Sequence, residues 1–338
     1  MTRRRRFLSI IAGCAALPLA SRSADATVAG ADRATSVWKG SAMGALASMT
    51  LVHPDRAHAQ ALIGRCVDEI DRLESVFSLY RPDSALVRLN AVGELRDPPL
   101  ELVELLSIGL ALAQRSGGAF DPTMQPLYRL YADHFATPGA APRGPSPGAI
   151  AAARARIGHD AVDLEAGTIR LRRPGMAITL NGIAQGFVTD RVADMLRAEG
   201  FTDVLIDLGE ARAIGHRPDG RPWRAGVTDP RATTRTLFDL ALGSDAGLLP
   251  ALATSAGYGT PFGTDPRVHH LLDPRTGRSA NHHALVSVAA PRATLADGLS
   301  TALWMLPPAR AAALLATYPS TRAWFVDAAD QVQVHDGA

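Results

Sequence analysis

Residues 269–301 constrain the fold more than any other stretch, because they predict a strand, a tight turn, a second strand and a helix in close succession. The alternation of the first strand places His269 and His270 on opposite faces. Proline and glycine in Asp273–Gly277 predict a turn that folds the strand back, and the return strand is predicted over 285–289. A helix must therefore follow this sheet directly.

That helix is predicted to open at Thr294, with Asp297 at the spacing of a capping box. Thr301 lies one turn further, so the carboxylate of Asp297 and the hydroxyl of Thr301 share a helical face near the positive end of the helix dipole. A hard cation with phosphate oxygens suits such a corner. A Thr-x-x-Asp pattern is more often only a cap, so its spacing leaves both roles open.

The N-terminus has the pattern of an export signal. Four arginines, Arg3–Arg6, precede Phe-Leu and a short apolar run over 10–20, which is typical of a twin-arginine signal and too short for a membrane span. Small residues predict cleavage after Ala26. The segment ending at Cys14 also matches a lipobox, which would place a lipid on this cysteine, but cleavage there would leave an unusually short apolar core.

Cysteine usage and charge exclude some classes of protein. After cleavage at residue 26, Cys66 is the only cysteine, so no intramolecular disulfide can form and a hydrophobic core must stabilise the fold. Cys66 belongs to the apolar stripe of a helix predicted over 55–77, which indicates an inert thiol. A net charge of +2 gives no sign of nucleic-acid binding. No membrane span is predicted in the mature chain.

The remaining segments predict an α+β fold with a largely antiparallel sheet. A polar loop is expected over 77–90 and a proline- and glycine-rich surface excursion over 136–148. The other predicted elements are helices over 100–115 and from about 187 to 200, a hairpin over 162–171, and strands over 47–52, 177–180, 204–206, 223–229 and 251–255.

The glycine-containing loop Asn181–Gly186 separates a predicted strand from a predicted helix. Backbone amides at such a helix start can face an anion, although the spacing matches neither the dinucleotide fingerprint nor the P-loop. A tight turn without a ligand remains the alternative. The strand over 251–255 breaks at small residues, where a ligand could approach the backbone.

Six blocks together resemble the FAD:protein FMN transferase (ApbE) family, in the order of that family and over nearly all of the mature chain. They are Phe77–Tyr80, Gly118–Thr123, Asn181–Gly186, Ala253–Ser255, His270–Gly277 and Ala296–Ala302.

This resemblance implies one transferase domain over 27–338, with a T-fold-like core. It implies a Mg²⁺-dependent reaction in which FAD is split at its pyrophosphate, FMN is attached to a threonine or serine of a target flavoprotein, and AMP leaves. By the same resemblance, Asp297, Thr301 and the carbonyl of Ala184 bind the metal, and His270 is a candidate base.

The resemblance also implies contacts with the flavin nucleotide at Met43, Tyr80, Phe120, Asp121, Thr123, Asn181, Gly182, Gln185, Thr254 and Ser255. The chain departs from the family pattern where Asn181 replaces a glycine and Gln185 replaces a lysine. Glutamine offers only a neutral hydrogen bond where the family has a cation.

The Asn-Gly-Ile-Ala-Gln-Gly loop, combined with a twin-arginine signal, resembles the NosX branch of this family, which is associated with nitrous oxide respiration. That branch implies a periplasmic location and a NosR-like membrane flavoprotein as the acceptor. Two alternatives stay open. Water could attack the same bound FAD, making the protein a pyrophosphatase that gives FMN and AMP, or the protein could bind flavin as an accessory protein without chemistry.

Overall fold

The structure is a computed structural model that describes residues 14–16, 34–165, 167–229, 231–257 and 260–338. The arginine block and the cleavage site after Ala26 lie outside the described residues, and so does most of the apolar run. Only a three-residue strand, β1 (Cys14–Ala16), is described in this region. The twin-arginine signal therefore stays a prediction.

Amphipathic segments form the helices. Asp55 caps α1 by accepting the N–H of His58 at 2.9 Å, as expected, and the apolar stripe of this helix buries Cys66. Burial raises the pKa of the Cys66 thiol to about 12, which agrees with an inert role. The helices in the described residues are α1 (Arg56–Phe77), α2 (Ala85–Val92), α3 (Leu100–Arg115), α4 (Gln125–Ala136), α5 (Pro147–Arg154), α6 (Ala184–Ala198), α7 (Ala293–Trp304) and α8 (Pro308–Leu315), with a short 3₁₀ helix at His159–Ala161.

An eight-stranded sheet forms the centre of the molecule, and every neighbouring pair in it is antiparallel. The predicted α+β class with a largely antiparallel sheet is thus confirmed. In spatial order the strands are β16 (Val332–Asp336), β15 (Arg322–Val326), β14 (Leu285–Ala290), β11 (Ala251–Ser255), β8 (Ala211–Ile214), β7 (Val204–Asp207), β3 (Ala45–Val52) and β2 (Thr35–Ala42).

Three smaller sheets surround the central one. The predicted hairpin over 162–171 is confirmed as two antiparallel strands, and a third strand joins it. In spatial order these sheets are β1, β9 (Trp223–Asp229) and β10 (Ala232–Leu242); β4 (Glu94–Arg96), β6 (Thr168–Leu171) and β5 (Val162–Glu165); and β12 (Leu272–Asp273) with β13 (Arg278–Ser279).

The central sheet is covered on both faces. Helices α1, α6 and α7 pack on one face, and the β9–β10 hairpin packs on the other. Along β14, Val286 and Val288 belong to the helix-side core, whereas Leu285 and Ala289 belong to the hairpin-side core. Both faces of this strand are buried, which explains why every residue in it except Ser287 is apolar.

The fold of residues 268–290 corrects the sequence prediction in part. The turn forms as expected, since Gly277 has a φ of 72° and its N–H donates to the carbonyl of Asp273 at 2.7 Å. However, only Leu272–Asp273 of the incoming segment is a strand, and it pairs with Arg278–Ser279. The segment predicted as its return partner, Leu285–Ala290, pairs with β11 and β15 in the central sheet instead.

Two further predictions were wrong. Residues 177–180 form no strand, because the backbone N–H and carbonyl of Ile178 bond to the side chain of Asn90, at 2.6 and 2.8 Å, instead of to a neighbouring strand. The loop predicted over 77–90 contains the start of α2, which Ser84 caps by accepting the N–H of Val87 at 3.0 Å.

Two other expectations concern the surface. Residues 137–146, within the predicted excursion, connect α4 to α5 and are mostly exposed. In the described part of the chain, no helix combines the length and the apolar character that crossing a bilayer requires.

Candidate functional site

A cleft of about 860 Å³, its open mouth included, lies between the helical layer and the loops around β12. Its lining combines apolar and aromatic side chains with a few polar groups, as small-molecule sites do. Ten of the residues singled out from the sequence line this cleft: Phe120, Asp121, Asn181, Gly182, Gln185, Thr254, Ser255, His270, Asp297 and Thr301. Residues far apart in the sequence therefore meet at one place.

Four of the singled-out residues do not line the cleft. Met43 lies in the turn between β2 and β3 with a left-handed φ of 51°, and its N–H donates to Glu74. Tyr80 is 59% exposed and lies beside Tyr128, which lines the cleft. Ala184 is the first residue of α6, next to the cleft-lining Gln185.

Thr123, the fourth, is fully buried behind the cleft wall and organises the loop after α3. Its hydroxyl donates to Oδ1 of Asp121 at 2.6 Å and accepts the N–H of Gly158 at 2.8 Å. The other carboxylate oxygen of Asp121 accepts the N–H of His159 at 3.2 Å. These bonds hold the loop that presents Phe120 to the cleft.

Gln185 contributes a hydrogen-bond donor to the cleft wall. It is 6% exposed, and its Nε2 has no hydrogen-bond partner among the described residues. A buried amide without a partner costs free energy unless a ligand or water accepts its hydrogens. The position where the family pattern has lysine thus presents a neutral donor to a bound ligand.

Gly186 allows α6 and α7 to approach each other closely. Its N–H donates to Oδ2 of Asp297 at 2.9 Å. A Cβ on Gly186 would lie 2.3 Å from the backbone oxygen of Ala293 and 2.8 Å from the Cβ of Asp297. The absence of a side chain here brings the two helices that bear the predicted metal ligands into contact.

We expect Gly186→Ala to destabilise the fold by about 1–3 kcal/mol, because the added methyl group meets rigid backbone and overpacks the helix contact. The gain of up to about 1 kcal/mol in helix propensity does not offset this. The control is Gly64→Ala in α1, where nothing lies within 4 Å of the new Cβ. In urea unfolding, the midpoint of Gly64→Ala should equal or exceed that of the wild type. Equal midpoints for Gly64→Ala and Gly186→Ala would contradict this packing argument.

Asp297 is a buried carboxylate that forms no ion pair within the described part of the chain. It is 4% exposed, and no ion pair joins it to a basic side chain of the described residues. Burial raises its pKa to about 7, and the nearby charge of Asp190 contributes to the same shift. A divalent cation would supply the missing positive charge.

The predicted capping box at the start of α7 is wrong. Arg292 occupies the cap position, and Thr294 lies within the first turn, where its hydroxyl donates to Asp190 at 2.6 Å. The carboxylate of Asp297 bonds to Gly186 of another helix instead of to its own first turn. Of the two roles left open by the spacing, capping is therefore excluded.

Thr301 lies one turn beyond Asp297 in α7, among oxygen atoms. Its Oγ1 is 3.5 Å from the carbonyl oxygen of Gly182 and 3.4 Å from the hydroxyl of Ser255. Carboxylate, hydroxyl and backbone carbonyl oxygens are donors that suit Mg²⁺, which keeps waters and takes the remaining ligands from substrate phosphates. In the described residues no three His, Cys, Asp or Glu side chains form a metal cluster.

Glu210 was not among the site residues predicted from the sequence, yet it lines the cleft beside Asp297. It is 2% exposed, and its Oε2 accepts the N–H of Thr254 at 3.3 Å. Burial, followed by the charges of Asp297 and Asp207, holds its pKa well above the usual range. Its place after Gly209, in the turn between β7 and β8, was a signal available in the sequence.

The two adjacent histidines have different environments. His270 lines the cleft, and its Nδ1 has no partner among the described residues. Burial lowers its pKa to about 4, so the imidazole is neutral at pH 7 and able to accept a proton. His269 is 1% exposed and packs against Trp304, with ring centroids 5.8 Å apart. Only His270 is placed to meet a ligand.

Known proteins are similar to this chain in sequence and in fold. The chain matches the ApbE family over residues 43–325. It is 32% identical over 290 residues to the FAD:protein FMN transferase of Treponema pallidum (strain Nichols), covering 80% of this chain and 78% of that protein. It is 29% identical over 317 residues to the FAD:protein FMN transferase of Klebsiella pneumoniae (strain 342), covering 90% and 88%.

The fold also matches the crystal structure of the Pseudomonas stutzeri flavinyl transferase ApbE in its apo form. The TM-score is 0.75 at 30% sequence identity, with 90% of this chain and 95% of that chain covered. The sequence and the fold thus indicate the same family. The chain belongs to the ApbE family.

Proposed function

We propose that this protein is an FAD:protein FMN transferase, which moves FMN from FAD to a threonine or serine hydroxyl of an acceptor flavoprotein and releases AMP. The observation that carries the proposal is the meeting of Asp297, Thr301 and His270, from α7 and from the segment before β12, in one cleft. In a phosphoryl transfer to a hydroxyl, a carboxylate and a hydroxyl of the protein can hold the metal ion. A neutral imidazole can take the proton of the attacking hydroxyl.

Asp297 and Thr301, with the carbonyl of Ala184, are the groups that would hold Mg²⁺. When bound there, Mg²⁺ would neutralise charge on the pyrophosphate oxygens of FAD. The amide of Gln185 donates a hydrogen bond to the nucleotide from the same wall. Phe120 presents an apolar ring to it.

His270 would take the proton of the acceptor hydroxyl as its oxygen bonds to the phosphorus of the FMN half. The bond from that phosphorus to the bridging oxygen breaks, and AMP leaves with this oxygen. The pKa of His270, lowered to about 4 by burial, leaves the ring unprotonated at neutral pH. The negative charge of bound FAD would raise this pKa towards neutrality and strengthen the base.

One incubation separates this reaction from its alternatives. The protein is mixed with FAD, Mg²⁺ and a candidate acceptor, and the products are followed as covalent flavin on the acceptor and as free FMN. Covalent flavin with AMP supports the transferase. Free FMN with AMP and no labelled acceptor identifies a pyrophosphatase, and unchanged FAD identifies a flavin-binding accessory protein.

We propose further that the acceptor is a membrane flavoprotein of the NosR type and that the enzyme is periplasmic. The form of the loop Asn181–Gly186, together with the arginine block at the N-terminus, supports this assignment. The test is flavinylation of a NosR-type flavin domain with its acceptor threonine intact or replaced by valine. Equal labelling of both forms would contradict it.

Export by the twin-arginine route gives a separate prediction. We expect the mature protein in the periplasm, beginning near Thr27, and we expect the double variant Arg4→Lys/Arg5→Lys to stay in the cytoplasm, because the route reads the arginine pair. Cell fractionation and mass determination of the N-terminus measure both. A lipid on Cys14 would overturn the cleavage site but not the route, whereas periplasmic recovery of the lysine variant would overturn the route.

A further inference from the structure

The N-terminus of α7 is capped by a side chain from another helix. Arg292 at the cap position makes no capping hydrogen bond. Asp190 of α6 accepts the N–H of Ala293 at its Oδ1 and the N–H of Thr294 at its Oδ2, each at 2.9 Å. The first N–H groups of a helix have no partner within it. Asp190 therefore supplies, across the interface, the cap that α7 lacks.

The charge of this anchor is compensated inside the protein. The side chain of Asp190 is 1% exposed and forms an ion pair with Arg212 of β8, which is 3% exposed. The Nε of Arg292 lies 3.2 Å from the other carboxylate oxygen. A buried carboxylate persists when it is paired and hydrogen-bonded, and its charge is favourable at the positive end of a helix dipole. These contacts fix the first turn of α7 firmly to α6.

A second contact lies one turn away and connects this anchor to the cleft. Gly186 precedes Asp190 by one turn in α6, and Asp297 follows Ala293 by one turn in α7. The Gly186 N–H donates to Asp297 at 2.9 Å. Two successive turns of α6 thus hold two successive turns of α7, although Asp190 itself does not line the cleft. Sliding of α7 along α6 would break both contacts.

We propose that Asp190 is a positioning residue that sets the register of α7 along α6 and thereby places the carboxylate of Asp297 and the hydroxyl of Thr301 for metal binding. This inference rests on the metal role in the proposed function. Mg²⁺ requires nearly ideal octahedral geometry, so a small displacement of α7 weakens its binding. Loss of residues that orient metal ligands typically lowers metal affinity by about 10–100-fold.

The test is Asp190→Asn, which keeps the shape and one acceptor oxygen but removes the charge that pairs with Arg212. Binding of Mn²⁺ to the folded protein with FAD and without acceptor is followed by electron paramagnetic resonance. The Mg²⁺ concentration that gives half-maximal transfer is measured in parallel. We expect the dissociation constant for Mn²⁺ and the half-maximal Mg²⁺ concentration each to rise about tenfold. The KM for FAD should change by less than about twofold.

Asp229→Asn is the matched control. The Asp229 side chain is 3% exposed and pairs with Arg231 and Arg235, but it lies in β9, on the other face of the central sheet from α6 and α7. It should lose stability without a change in Mn²⁺ affinity. Equal Mn²⁺ affinity in the two variants, or a higher KM for FAD with unchanged Mn²⁺ affinity in Asp190→Asn, would overturn the positioning role.

Thr294→Val keeps the test decisive if Asp190→Asn does not fold. It removes only the hydroxyl that donates to Asp190, so a smaller weakening of Mn²⁺ binding, about two- to fivefold, is expected, and unchanged binding would refute the role. Asp297→Ala separates the two proposals. If Asp297→Ala still binds Mn²⁺, the metal site itself is refuted. If Asp297→Ala loses Mn²⁺ binding but Asp190→Asn keeps it at wild-type affinity, only the positioning role is refuted.

Discussion

Asp297→Ala is expected to lower transfer by about 10³-fold or more, because its carboxylate is the only charged group among the three proposed metal ligands. The fold should persist. The substitution removes one hydrogen bond to Gly186, worth about 1–3 kcal/mol, and also removes a buried carboxylate whose pKa of about 7 shows that its charge is disfavoured there. The measurement is the rate of covalent flavin formation on the acceptor at saturating Mg²⁺.

Asp297→Asn separates the charge from the hydrogen bond. The amide oxygen can still accept the N–H of Gly186, so this variant keeps the helix contact while it loses the charge. Both variants should be inactive, and both should unfold near the wild-type midpoint. Transfer at the normal rate in either variant with Mg²⁺ present would remove Asp297 from the metal site.

His270→Ala is expected to lower the transfer rate by about 10²–10⁴-fold with FAD binding little changed, because the acceptor hydroxyl loses its base. The pKa of His270 is lowered to about 4 by burial, so the base is unprotonated over the neutral range. In the wild type, protonation of His270 should reduce the transfer rate only at acidic pH. The rate should fall as the pH approaches the pKa of His270, which is higher in the FAD complex than in the free protein. Single-turnover rates across pH measure both effects.

His269→Ala is the natural comparison, but we expect it to lower the stability of the fold more than the transfer rate. This ring is 1% exposed and fills the core beside Trp304, so its removal creates a cavity and costs stability. Rates per folded protein should therefore change much less than in His270→Ala. Equal rate losses, or loss of FAD binding in His270→Ala, would mean that His270 holds the ligand or the fold instead of moving a proton.

Local pattern determined much of the architecture. Helical periodicity with an Asp55 cap gave α1, and apolar spacing gave α3 with its observed ends. Turn residues gave the hairpin over 162–171 and the fold-back at Gly277. The four-residue spacing of Asp297 and Thr301 placed both on one face of α7, and both line the cleft. These features depend on residues within one or two turns of each other, so the sequence specifies them directly.

Long-range partners decided the remainder. Residues 177–180 have the composition of a strand, yet the side chain of Asn90 takes the hydrogen bonds that a strand would have made. Thr294 has the spacing of a cap, yet Asp190, about a hundred residues earlier, provides the cap instead. Glu210 became part of the cleft only because β7 and β8 bring it beside Asp297.

The sequence by itself determined the family, the elements with local signals and the residues that carry the proposed chemistry. The tertiary structure decided which strands pair, how α7 is positioned against α6, and which buried groups surround Asp297. The reason is physical, since a backbone donor or a buried carboxylate accepts whichever partner folding brings within about 3 Å. Periodicity and turn chemistry cannot name a partner that lies on another element.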